Sequence, residues 1–114
     1  MANVKRLVIF LFVLTLTGCS SKKSIPDGFN ADTYEYTVKA LKLMEKYNAG
    51  EIQKEEVKSR LQAIDEHLDS IQSSEDNWKL TIVKVDIGSF IYKLASDGDT
   101  YSVTKELEEI LEDN

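Results

Sequence analysis

Residues Trp78 to Ala95 read WKLTIVKVDIGSFIYKLA, and two backbone conformations compete for them. As a strand, Val83-Lys84-Val85-Asp86-Ile87 alternates apolar with polar, the stretch is rich in β-branched residues, and Asp97-Gly98 offers a hairpin turn onto Thr100 to Thr104. As a helix, Leu80, Val83, Ile87, Phe90, Ile91 and Leu94 form the main buried face. Trp78, Ile82, Val85 and Tyr92 form a second one, and Lys79, Asp86 and Lys93 form the polar stripe. An isolated hairpin is only marginally stable in water, and nothing upstream offers it a third strand. The stretch is therefore expected to be the central helix of an all-α domain. On that helix Thr81, Gly88 and Ala95 line up seven residues apart. Such a stripe is expected to admit a neighbouring helix closely and to offset the ~1 kcal/mol penalty of a mid-helix glycine.

Working outward, Val57, Leu61, Ile64, Leu68 and Ile71 alternate steps of four and three, a seam suited to antiparallel helix packing. Gln53 is expected to cap that helix, with Glu56 three places on and Ile52 folding onto Val57 as a hydrophobic staple. Before it, Asp32-Thr33-Tyr34-Glu35 reads as a capping box that opens a first helix. Its polar stripe is Glu35, Lys39, Lys42 and Lys46, and its wide apolar arc of Tyr34, Tyr36, Val38, Ala40, Leu41, Leu43, Met44 and Tyr47 implies packing on more than one side. The segment LKLMEKYNAGEIQKEEVKSRL, Leu41 to Leu61, resembles the short helical hairpins of many small bacterial domains. That likeness implies an αα-hairpin and no activity. Ser73-Ser74-Glu75-Asp76 caps the central helix and Gly98 stops it. A last helix from Thr100 or Ser102 turns Val103, Leu107, Ile110 and Leu111 inward, and Glu106, Glu108, Glu109, Glu112 and Asp113 form a solvated acidic face. The fold class expected is a small antiparallel bundle of about four helices over residues 32–114.

The N-terminus has a different character. After the basic pair Lys5-Arg6, residues Leu7 to Leu16, LVIFLFVLTL, carry no charge, the layout of a secretory signal. The run is shorter than the roughly 20 residues a spanning helix needs. Leu16-Thr17-Gly18-Cys19 then resembles the lipobox of bacterial lipoproteins: an aliphatic residue, a small residue, Gly or Ala, then Cys. Membership implies cleavage between Gly18 and Cys19, a diacylglyceryl group on the Cys19 thiol and an optional acyl chain on its new amino group. Two chains anchor a protein stably where one does so marginally, and Lys22 and Lys23 suit an anionic headgroup layer. The expected organisation is a cleaved signal over 1–18, a lipidated Cys19 and tether over 19–31, and the helical domain over 32–114.

Composition narrows the function. The chain has 14 basic and 20 acidic residues. Loss of Lys5 and Arg6 with the signal leaves 12 basic against 20 acidic, a balance of −8, which argues against nucleic acid as a partner. Cys19 is the one cysteine and His67 the one histidine, so neither a disulfide, a cysteine metal site nor a nucleophile–base set is expected. His67 is expected on a solvated helix face. No catalytic residue, no metal ligand and no cofactor beyond the covalent lipid is assigned. The expected role is a non-enzymatic protein-interaction module of accessory, inhibitor or exclusion type, anchored in the outer leaflet of a bacterial cell membrane or in an outer membrane. The alternative is a ligand or cation binder using the acidic face or an interhelical pocket.

Overall fold

Helices α1 (Ala31–Asn48), α2 (Lys54–Asp69), α3 (Lys79–Ser96) and α4 (Thr100–Glu112) succeed one another, with a single 3-10 turn at Glu75–Asn77 before α3. The structure is a computed structural model and describes residues 25–112. The signal, Gly18, Cys19 and the tether as far as residue 24 lie outside the described residues. Among the described residues no strand forms, so Trp78 to Ala95 takes its helical alternative and the all-α bundle is the fold. Helix α1 packs against α2, α3 and α4, and α3 packs against α2 and α4, which closes the four helices around one core.

The seam read from α2 is core: Val57, Leu61 and Leu68 are fully buried and Ile64 nearly so, while Ile71 lies past the helix end and is partly buried. Ala40 and Met44 of α1, Val83, Ile87 and Phe90 of α3, and Leu107 of α4 belong to the same buried cluster. Gln53 is the N-cap residue of α2, but its side chain makes no capping hydrogen bond. The start of α1 differs from the capping box expected at Asp32. The cap is Asn30, whose Oδ1 accepts the Thr33 N–H at 2.8 Å. Asn30 is fixed there because its own N–H donates to Asn77 Oδ1 at 3.1 Å. Asp32 therefore sits inside the first turn, favourable for the helix dipole, with its carboxylate free to reach α2.

The described part of the stretch read as tether is docked on the bundle. Pro26 and Phe29 are buried, and Gly28 O accepts the Lys79 N–H at 3.0 Å. Gly28 has φ of 91°, and a Cβ there would lie 2.8 Å from the Trp78 ring. At the other end, Asn48 ties α1 to α4. Its Nδ2 donates to Thr104 Oγ1 at 2.9 Å, its Oδ1 accepts from Thr100 Oγ1 at 2.7 Å, and its backbone carbonyl accepts from Tyr101 OH at 2.9 Å.

Helix α3 corrects the sequence in one respect. Its main face is buried as expected, with Ile91 partly so, but the other two sides are exchanged. Lys79 and Asp86, expected as a solvated stripe, are each 3% exposed, whereas Trp78, Val85 and Tyr92, expected as a second buried face, are 49%, 61% and 71% exposed. Helix α4 is the reason. It closes over that flank, where Lys79 reaches the Ile110 carbonyl and Asp86 meets Glu106, while its inward Thr100 and Thr104 bond to Asn48 of α1.

Leu61→Ala is expected to reduce stability by roughly 2–5 kcal/mol in chemical denaturation, against a change within about 0.5 kcal/mol for Val85→Ala. Gly28→Ala is expected to destabilise by at least about 1 kcal/mol, because it meets both the left-handed backbone and the Trp78 ring.

Candidate functional site

Three surfaces of the bundle carry chemistry, and none contains a nucleophile beside a base. The first is the outward side of α3. Trp78, Thr81, Val85, Gly88, Tyr92 and Ala95 are all exposed, Ile82 and Ser89 are half-buried beside them, and no charged residue interrupts the series. The small-residue stripe is thus on the surface: a Cβ added at Gly88 would meet nothing within 4 Å. Among the described residues no helix enters it, contrary to the expectation of a close neighbour, because α4 takes the Lys79–Asp86 side instead.

The second is a groove between α1 and α2. Lys39, Lys42 and Lys46 of α1 and Arg60 of α2 rim it, over a floor of Leu43, Ala63 and Ile64, and its volume is about 350 Å³. The three lysines belong to the polar stripe read from the sequence, but Arg60 joins them only through the hairpin. Its Nε donates to Glu56 at 3.1 Å. Along the same α1/α2 junction, His67 is half-exposed, and it is held in place by α1. Its Nε2 lies 3.0 Å from Asp32 Oδ2, and its ring stacks on Tyr36 with centroids 3.8 Å apart. With both contacts reaching back to α1, His67 clamps the hairpin.

The third lies between α3 and α4, where Ile82, Glu106, Glu109, Ile110 and Glu112 line an open groove of about 560 Å³. At its inner edge the buried Asp86 shares a hydrogen bond with Glu106, and Asp86 Oδ2 has no partner. Burial pushes the Asp86 carboxyl up to about 7, and the Glu106 charge and hydrogen bond add to the rise. Nearby, Lys79 caps α4, with Nζ 3.4 Å from the Ile110 carbonyl and lying over the Phe29 and Trp78 rings at 5.3 and 5.5 Å. Glu109 sits on the exposed acidic face as expected. Among the described residues no three His, Cys, Asp or Glu side chains are grouped to hold a metal ion, and no helix is long and apolar enough to cross a membrane.

The lipidation and cleavage residues, Cys19 and Gly18, fall outside the described residues. Comparison of the chain with protein-family models, with curated proteins and with solved structures returned no match.

The Asp86–Glu106 pair makes stability pH-dependent with a defined sign. The folded-state value near 7 stands above the ordinary 3.8, so the folded protein binds the extra proton between those values and stability falls as pH rises through that window. Burial also raises Glu45, beside Glu108, and Asp65, beside Asp69, which adds in the same direction. Asp86→Asn is expected to melt higher than wild type at about pH 8 and to flatten the melting-temperature slope between about pH 5 and 8. Thermal scans across that range check it; an unchanged slope would contradict the buried assignment of Asp86.

Proposed function

We propose that this chain is a lipid-anchored bacterial lipoprotein whose small helical domain acts as a non-enzymatic protein-interaction module at the outer face of a membrane. The observation that carries the interaction part is the uncharged, exposed side of α3, from Trp78 to Ala95. In a chain in which 30% of residues are charged, a helix side about 25 Å long without one charge favours an apolar partner over water. Anchoring is supported by the basic, apolar and lipobox residues that end at Cys19. Covalent geometry limits the reach from that anchor: Cys19 to Gly28 is nine residues, or at most about 30 Å when extended. Because Gly28 packs against the Trp78 ring and accepts the Lys79 N–H, the start of the exposed α3 side stays within that distance of the lipid. Confinement of this kind raises the effective concentration of a membrane-bound partner and lets a weak interface suffice.

A second reading, ligand binding in an interhelical pocket, has the α1/α2 groove in its support. Its four cations suit an anionic group with an apolar part rather than a cation.

In a bacterial host given an alkyne analogue of palmitate, wild type is expected to take up the label and Cys19→Ala to lose it and retain its signal. Proximity labelling from the C-terminus is expected to recover a protein neighbour from wild type and to lose it in both Cys19→Ala and Val85→Glu. Label persisting in Cys19→Ala would overturn the anchor, and a neighbour indifferent to Val85→Glu would overturn the α3 surface.

A further inference from the structure

The exposed side of α3 has a pattern that specifies its occupant. Trp78, Thr81, Val85, Gly88, Tyr92 and Ala95 are spaced 3, 4, 3, 4 and 3, the spacing of a two-helix seam. They form two columns. Trp78, Val85 and Tyr92, seven apart, are large; Thr81, Gly88 and Ala95, seven apart, are small. All six are exposed.

We infer that this seam is the contact for a second copy of the same chain, with the two α3 helices antiparallel about a two-fold axis that passes between Val85 and Gly88. The inference gives a partner to the interaction module proposed above and rests on that reading for its setting at a membrane. In an antiparallel pair, each position of one column faces a position of the other column on the partner helix. Here that places Trp78 opposite Ala95, Thr81 opposite Tyr92 and Val85 opposite Gly88, and the two-fold repeats each layer. Every layer then joins one large and one small side chain, the condition for uniform interdigitation. A parallel pair would instead set Trp78, Val85 and Tyr92 each against itself and Gly88 against Gly88, alternating crowded layers with empty ones.

Charge agrees with this register. Lys84, on one border, is already held by Asp69 of its own chain. No acidic residue lies in the seam, so two copies of an acidic protein meet along a helix side where like charges do not oppose the contact. The seam is narrow beside the ~800 Å² per partner of a standard stable interface. The pairing is therefore a weak one, made effective where both copies share a membrane surface.

The test exploits complementarity between Thr81 and Tyr92, both exposed, so that substitution leaves the core intact. The full chain is kept in detergent micelles under reducing conditions and examined by sedimentation equilibrium up to about 1 mM. A parallel series carries Cys19→Ala, which separates pairing from lipidation. Wild type is expected to form a dimer in both series. Thr81→Tyr, which sets tyrosine against tyrosine, and Tyr92→Thr, which leaves a gap, are each expected to weaken dimerisation about tenfold, and the double variant T81Y/Y92T to return within about threefold of wild type. Monomer throughout in both series, or a double variant no tighter than the singles, would overturn the pairing and leave the anchor to be judged by the palmitate label. Pelleting of monomeric chain with phosphatidylcholine vesicles, abolished by Tyr92→Thr, would overturn it in favour of a lipid surface.

Discussion

Helix α3 must bury two of its three sides in a protein with one core, and which two it buries determines everything else. Its Leu80–Leu94 face is wholly apolar and meets α1 and α2. The second buried side is the flank holding Lys79 and Asp86, closed by α4. Leaving Lys79 and Asp86 in water and covering Trp78, Val85 and Tyr92 would bury more apolar area. The arrangement adopted instead engages Thr100 and Thr104 with Asn48, caps α4 with Lys79, and gives Asp86 a carboxyl partner in Glu106.

This choice gives the molecule its surface chemistry. Covering the polar flank leaves a charge-free helix side outside, and it draws the acids of α4 together over Asp86. The same helix starts where the N-terminal arm docks, through the Gly28–Lys79 hydrogen bond and the Trp78 ring packed on Gly28. The docked arm and the apolar surface are thus adjacent. On the opposite junction, the α1/α2 hairpin gathers cations around an apolar floor, so an acidic chain carries a local basic groove.

Much of this was legible in the residues, and the parts that were not have physical causes. The seam of α2 and the main face of α3 could be read because a strict period of apolar side chains has one burial solution. The cap of α1 was placed two residues late, since Asp32 and Asn30 are equally good caps locally and a distant contact with Asn77 decides between them. His67 looked solvated because its partners, Asp32 and Tyr36, lie on another helix. The exchange of sides on α3 was hidden for a deeper reason. Periodicity reveals that a helix has two apolar faces but not which one a later element will cover. The basic groove was half visible: three of its cations form one stripe, and the fourth required the hairpin geometry.

The central claim is that α3 turns Val85 outward and Asp86 inward, against their hydrophobicity. Thiol reactivity of single cysteines along residues 79–96 tests it most directly, in a full chain carrying Cys19→Ser and at micromolar concentration. Cysteines at positions 81, 85, 88, 92 and 95 should react at near the rate of an unfolded peptide, with those at 79, 83, 86, 87 and 90 slower by at least about a hundredfold. Protection at 85 and 92 with fast reaction at 86 would contradict it and would put α4 on the other side of the helix.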